Sequence, residues 1–344
     1  MSAERVADIS EFQLIGRLQS VLPERALRSD RLDIGIGDDA AVAKLSPGEQ
    51  LVVSTDTLNE GVHFRFDWTS WRRLGHKALA VNLSDLAAMG ATPLIATVSL
   101  ALTGDELIAD LEEMYRGMGQ YAASNQTVIA GGDITRTTGP LSIAVTAIGE
   151  TRNRRLLRRS AAQPNDLIWV TGTIGAAAAG LQLELLDSSD PRKHAATADS
   201  LRGALHEPLP RLNAGRALAA MGVRCAMDLS DGLTGDLYKI LTSSHVDAEL
   251  SLWEISVLAA VTGLFGSGAI DLALYGGEDY ELLFTSPHFM ANEISEGLEL
   301  IGIHATVIGQ IRSQFGAQPR ITGIERHGKR HILVPRGFDH FGAK

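Results

Sequence analysis

Acidic residues stand at the ends of apolar stretches in this chain rather than along solvent-facing stripes. Asp38 and Asp39 sit side by side on the glycine turn "GIGDDAAV" at 35–42, and Asp56 ends the β-branched run "VVSTD". Asp85 lies inside "AVNLSDLAAMG", flanked by Leu83, Leu86 and Met89, and Asp133 follows "VIAGG". Further along, "DLSDG" carries Asp228 and Asp231, and "GGEDYE" carries Glu278 and Asp279. A single aspartate after a strand is ordinarily a turn or helix cap, so each site alone has a structural explanation. Asp85 resists that explanation, because an unpaired carboxylate in apolar surroundings is costly. Taken together, the acids form an oxygen-rich donor set with no cysteine and no paired histidine, which suits Mg²⁺. Mg²⁺ held by a few carboxylates and substrate phosphates is the usual nucleotide-site arrangement. Gly131-Gly132 would let backbone approach such a nucleotide closely.

Two nearby patterns fail on physical grounds. Residues 35–40 satisfy G-x-G-x-x-A, but two aspartates would repel the pyrophosphate that this fingerprint binds, and "DDAAVAKLSPG" is too short for the helix it requires. "GIERHGKR" at 323–330 fits G-x-x-x-x-G-K but ends in Arg330 and runs into the strand-like "HILVP". It reads as a hairpin turn. "TRNRRLLRRS" packs five arginines into ten residues. It reads mostly as linker, with one arginine placed to pair with a phosphate.

The elements that must position these residues alternate between strand-like and helix-like spacing, an α/β or α+β pattern. "EQLVVSTDTL", "PLIATVSLAL", "QTVIAGG" and "PLSIAVTAIGE" read as strands, and residues 70–90 and 105–124 as helices. A composition change at 151–166 divides the chain into expected domains 1–150 and 151–344. After it come the strand "LIWVTG", the helices "GAAAAGLQLELL" and "RLNAGRALAAMG", and the strand "VRCAMDLS". The helix "GLTGDLYKILTSS" follows, then the strands "YELLFTS" and "ATVIGQI". A polar loop is expected around 187–200, and a buried helix followed by a loop at 255–270.

The 344 residues, 45% hydrophobic and 21% charged, form an ordinary globular balance and favour two domains. The formal charge of −10 argues against a general nucleic-acid surface. Cys225 is the single cysteine, so no intrachain disulfide is expected. The N-terminus lacks the apolar core of a signal peptide, and the longest uncharged stretch is too short and glycine-broken to span a bilayer. A cytoplasmic protein without a membrane partner is the expectation.

The stretches "GIGDDAAV", "STDTLNEGVHF", "KALAVNLSDLAAMGATP", "AGGDITRT", "MDLSDGL", "GGEDYELLFT" and "GFDHF" occur in order over residues 35–341. In this combination the chain resembles the thiamine-monophosphate kinase family, within the larger group that includes aminoimidazole ribonucleotide synthetase and selenophosphate synthetase. The resemblance implies a two-domain α/β (α+β) fold whose N-terminal domain pairs with its twin into a dimeric β-barrel. It implies ATP bound on that domain, with the C-terminal domain closing over it, and γ-phosphoryl transfer to thiamine monophosphate. By position it assigns Asp39, Ser54, Thr55, Asp56, Asp85, Asp133, Asp228 and Asp231 to several Mg²⁺ ions. Gly132, Asp133, Arg159 and Ser230 would contact ATP or its metals, and His63, Glu278 and Phe338 would contact thiamine monophosphate. The local "RRSAA" departs from the family's "TRSGA"-like stretch and leaves Arg158 and Arg159 as alternatives. Phe338 stands where tyrosine or tryptophan is common, which preserves stacking but not a polar contact. The acceptor would be an already ionised phosphate oxygen, so no obligate general base is expected. A non-catalytic nucleotide or Mg²⁺ sensor is the rival class; such a relative should have lost some of these acids, and all are present.

Overall fold

The computed structural model describes residues 4–338, 340 and 341; Asp339 of the C-terminal motif lies outside them. The chain separates into two compact units. One runs up to Leu86 and resumes over Ala91–Arg154; the other comprises Ala87–Gly90 and the chain from Arg155 onward.

The first unit begins with helix α1 (Glu11–Ser20). Ser10 caps it in a capping box, its hydroxyl accepting from the Gln13 N–H and the Gln13 side chain accepting from the Ser10 N–H. Short strands β1 (Leu32–Ile34) and β2 (Val42–Ala43) pair antiparallel around the glycine turn. Then follow β3 (Leu51–Asn59), α2 (Trp71–Ala88), β4 (Thr92–Leu102), α3 (Ile108–Ser124), β5 (Val128–Arg136) and β6 (Ser142–Glu150). The main sheet has the order β3-β6-β4-β5, antiparallel except for the β4–β5 pair, which α3 connects. Alternation decides its faces. In β6, Ile143, Val145 and Ala147 are buried, while Ser142, Ala144 and Thr146 turn the other way and are half-buried. The helical periodicity of Leu111, Met114, Tyr115, Met118 and Ala122 buries the matching stripe of α3. Among the described residues the sheet is open, with β3 and β5 as edges, and forms no closed barrel by itself.

The second unit contains β7 (Leu167–Thr171), α4 (Ala176–Leu185), α5 (Ala198–His206), α6 (Leu212–Met221), β8 (Cys225–Asp228) and α7 (Leu233–Ser244). It continues through β9 (Val246–Ser251), α8 (Ala259–Phe265), α9 (Ala269–Tyr275), β10 (Leu282–Ser286), α10 (Ala291–Glu299), β11 (Ala305–Ser313), β12 (Ile321–Ile324) and β13 (Arg330–Leu333). Its seven-stranded sheet runs β13-β12-β9-β11-β7-β10-β8, with only β9–β12 parallel. β7 and β10 are buried along their whole length, as continuous apolar runs covered on both faces must be. Trp169 stacks on Phe284 with centroids 5.7 Å apart and satisfies its indole N–H on Ser286.

Three expectations are corrected here. Residues 255–270 form parts of two short helices around a turn at 266–268, because Gly266 adopts φ +54° and breaks the run. The polar loop near 187–200 ends inside α5, whose apolar face of Ala198, Leu201 and Leu205 is buried. The glycines of "AGG" are not a strand end, since β5 continues through Asp133 to Arg136. The hairpin reading of 323–330 agrees with the antiparallel β12–β13 pair.

Candidate active site

In the first unit the glycine turn, α1, β4, β5 and β6 enclose a cavity of about 830 Å³. That volume is of the size that holds cofactors and nucleotides. Asp38, Asp39, Gly131, Gly132 and Asp133 form one part of its wall, and Phe12, Ile15 and Ile36 an apolar part. The turn is set by Gly37 at φ +119°, with the Asp38 carboxylate accepting from the Asp39 N–H at 2.8 Å. β2, not a helix, follows this turn, which disposes of the dinucleotide fingerprint. Gly132 owes its lack of a side chain to its neighbour strand: a Cβ there would lie 1.9 Å from the Val98 carbonyl oxygen. Gly131 is the glycine that leaves room, with nothing nearer than the Thr97 methyl at 4.0 Å. Tyr115 also lines the cavity, and burial raises its phenol pKa, so it is a neutral donor there.

Asp56 and Asp85 lie by the opposite edge of the sheet, where α2 packs against β3. Ser54 donates its hydroxyl to Asp85, and the Asn82 side-chain oxygen accepts from the Asp56 N–H at 2.9 Å. Asn82 and Asp85 are three residues apart on α2 and so face β3 together. Thr55 points to the other face of the sheet, where its hydroxyl donates to the Val145 carbonyl and accepts from Thr146. Cross-strand partners run Asp56, Val145, Val98, Gly132. Three strand spacings, roughly 14 Å, therefore separate the β3 acids from those beside β5 along the sheet. Just beyond β3, the His63 Nδ1 accepts from the Asn59 N–H at 3.0 Å. This hydrogen bond places the proton of a neutral ring on Nε2, making His63 a donor toward its surroundings.

In the second unit three motifs lock together. The Glu278 N–H donates to the Ser230 carbonyl at 2.8 Å, and the Tyr280 N–H to Leu229 at 2.9 Å. The Phe338 N–H donates to the Asp231 carbonyl at 3.2 Å, while the Thr234 hydroxyl donates to the Arg336 carbonyl at 3.0 Å. Asp228, Ser230, Asp231, Glu278 and Phe338 are thus gathered around one loop. Asp228 is buried at the end of β8, and Phe338 is 54% exposed. Asp236 organises the loop from beneath, its carboxylate accepting from the backbone N–H groups of Ser230, Asp231 and Gly232. Lys239 reaches Asp231 at 2.5 Å and Asp236 at 2.7 Å. Burial raises the Asp236 pKa, against the pull of Lys239 and the backbone donors.

The backbone of Arg159 lies by the other end of β8 from this loop. Its carbonyl accepts from the Ser244 hydroxyl at 2.8 Å, beside Cys225 at the start of β8, whereas Asp228 closes the strand. The neighbouring Arg158 N–H donates to the Arg224 carbonyl. Two arginines of the run have structural duties: Arg154 donates to the Gly48 carbonyl, and Arg155 caps α6 at the Ala219 and Ala220 carbonyls. Cys225 is a buried core residue, and that burial pushes its thiol up to about 12.

Asn82, Tyr115, Asp236 and Lys239 were not singled out from the sequence. The signals for two of them were there: a polar Asn one turn before Asp85 in an apolar helix, and an acid just inside the helix after "DLSDG". Among the described residues no three Asp, Glu, His or Cys side chains converge on a preformed cage. The donors fit Mg²⁺ nonetheless, since they are all oxygens and stand in ones and twos, and this ion keeps waters and completes its shell from phosphates.

A family model described as AIR synthase related protein, N-terminal domain, matches residues 37–151, and one described as AIR synthase related protein, C-terminal domain, matches 163–320. Thiamine-monophosphate kinase of Bacillus subtilis (strain 168) is 34% identical over 333 residues, which is 97% of this chain and 100% of that protein. The chain belongs to the thiamine-monophosphate kinase family. The crystal structure of the family member from Stenotrophomonas maltophilia K279a is 38% identical with a TM-score of 0.79, covering 91% of this chain and 96% of that one. The structure of AaThiL complexed with AMPPCP and TMP is 29% identical with a TM-score of 0.74, covering 99% and 100%.

Proposed function

We propose that this protein transfers the γ-phosphoryl group of ATP to thiamine monophosphate, giving thiamine diphosphate and ADP. The observation that carries the reading is the pairing of Asp39 and Asp133 with an open Gly131 on the wall of one nucleotide-sized cavity. The relative solved with AMPPCP and TMP, alike over nearly the whole chain, supports the choice of the two reactants.

The two reactants bring about five to six negative charges together, so charge is the obstacle. Asp39, Asp56, Asp85, Asp133, Asp228 and Asp231, with the oxygens of Ser54 and Thr55, would hold Mg²⁺, which when bound offsets that charge. The remaining work falls to the chain itself. The attacking phosphate oxygen is ionised near neutral pH, so positioning for in-line displacement replaces base catalysis. His63 donates from Nε2 to the thiamine phosphate or ring. Glu278 offers a carboxylate to the cationic thiamine, and Phe338 stacks on its rings. Gly132 and Ser230 contact the nucleotide through backbone and hydroxyl, and Arg159, or Arg158 in its place, pairs with a phosphate.

A homodimer belongs to the same reading, supported by the open sheet edges and by Leu51 and Val53, both more than half exposed on β3. So does a cytoplasmic location, supported by ATP as co-substrate; among the described residues no helix is long and apolar enough to cross a membrane. The test is incubation with ATP, Mg²⁺ and thiamine monophosphate, scored for thiamine diphosphate. Product equimolar with ADP is expected. ADP released without thiamine diphosphate, or turnover of an aminoimidazole precursor instead, would overturn the assignment.

A further inference from the structure

The turn that carries Glu278 is held in a conformation its residues do not favour. Glu278 has φ +69° and Tyr280 φ +51°, both left-handed and neither a glycine. Such backbone persists only where the surroundings over-determine it. On one side the "DLSDG" loop supplies the carbonyls of Leu229 and Ser230. On the other side the anchors are two acids of the turn itself. Asp279 accepts from the N–H groups of Gly175, at 2.7 Å, and Ala177, at 3.2 Å, where α4 begins. Glu281, 5% exposed, accepts from the Thr171 hydroxyl at 2.6 Å, and Thr171 in turn accepts from the Leu282 N–H at 2.8 Å. Gly172 makes room for it, since a Cβ there would lie 2.2 Å from the Glu281 carboxylate.

Two carboxylates two residues apart in an enclosed turn repel one another and lose hydration. Arg211 is the group that answers this charge. It comes from the "PLPRL" segment before α6, and its guanidinium grips Glu281 through both Nε, at 2.6 Å, and Nη2, at 2.5 Å. A planar fork on a carboxylate fixes orientation as well as charge, which a lysine ammonium cannot do.

We infer that Arg211 is a positioning residue: through Glu281 it sets the left-handed turn that presents Glu278 to the phosphate-acceptor substrate. The inference rests on the proposed role of Glu278 toward thiamine monophosphate. It makes the acceptor side of the site depend on a residue well removed in sequence from every motif that carries the family resemblance.

The experiment compares Arg211→Lys, Glu281→Gln, Glu278→Ala and the double variant Arg211→Lys/Glu278→Ala in the full-length protein. KM for thiamine monophosphate, KM for ATP, kcat and thermal unfolding are measured for each. Arg211→Lys is expected to raise KM for thiamine monophosphate about 10-fold, leaving KM for ATP within about twofold. Glu281→Gln is expected to move in the same direction, and carries the test if Arg211→Lys does not fold. In the double variant Arg211→Lys should add less than about twofold to the effect of Glu278→Ala, because both act through one group. Equal rises in both KM values, or full additivity, would mean a general structural role and overturn the inference. So would an unchanged KM for thiamine monophosphate in Arg211→Lys and Glu281→Gln while Glu278→Ala raises it. An unchanged KM in Glu278→Ala would instead remove Glu278 from the substrate site, a distinct failure.

Discussion

The acids of the two units are kept in different ways. In the first unit Asp39 and Asp133 are exposed on a cavity wall, with Asp38 beside the one and Ser99 across from the other, and among the described residues no Lys, Arg or His lines that cavity. In the second unit nearly every acid near the loop has a fixed protein partner: Asp231 has Lys239, Asp236 has three backbone donors, Asp279 has the start of α4 and Glu281 has Arg211. One set is arranged to be completed by what binds; the other builds a rigid platform before anything binds. A polyanionic nucleotide that arrives with its own cations suits the first arrangement. An acceptor that must be aimed suits the second.

Removing a carboxylate of the proposed Mg²⁺ set, one open on the cavity wall and one already bonded to Ser54, should cost most. Asp133→Asn and Asp85→Asn are each expected to lower kcat by at least about 10³-fold with the unfolding temperature little changed. Near-normal turnover in either would break the comparison on its first side. Next in size, Arg158→Ala and Arg159→Ala should differ from each other by about 10-fold or more in kcat/KM. Equal, mild losses would return both to a structural role beside β8. Phe338→Ala should raise KM for thiamine monophosphate about 10-fold, the scale of one lost ring stack, with KM for ATP unmoved.

The smallest effect concerns stability. Burial is the main cause that pushes the Asp279 carboxyl up to about 7, against the pull of the Gly175 and Ala177 N–H groups. A carboxyl raised above its unfolded-state value stabilises the fold fully only below that value, and loses this contribution as pH rises toward 7. The wild type should therefore lose about 3 °C more in unfolding temperature between pH 4.5 and pH 7.5 than Asp279→Asn does. Parallel curves would show that Asp279 ionises without cost and that the platform is less closed than its geometry implies.

Much of the first unit could be read from the sequence because its strands and helices carry clean periods. The alternation in "SIAVTAIGE" and the stripe in "DLEEMYRGMGQYA" give the same faces in the structure. The second unit was less legible. β9 alternates within the short stretch "VDAELS", and α10 is a single charged, nine-residue helix, so neither separates from its surroundings by pattern alone. For the site, apolar runs closing on an acid pointed to Asp56, Asp133 and Asp228 because a carboxylate there breaks the pattern, although only Asp228 ends its strand and β3 and β5 run on past the other two. Arg211 breaks no pattern, since an arginine in a proline-rich loop is ordinary, and its partner lies 70 residues away. Gly132 illustrates the converse: the glycine was visible, but its reason, the Val98 carbonyl on the next strand, depends on sheet register.

The central claim is that acids from opposite edges of one sheet serve the same phosphoryl transfer by holding its Mg²⁺. Its most direct test is turnover against free Mg²⁺ for the wild type, Asp133→Asn and Asp85→Asn at saturating ATP and thiamine monophosphate. The account predicts that both variants need at least about 10-fold more Mg²⁺ for half their residual rate. An Mg²⁺ requirement identical to that of the wild type in both would contradict it.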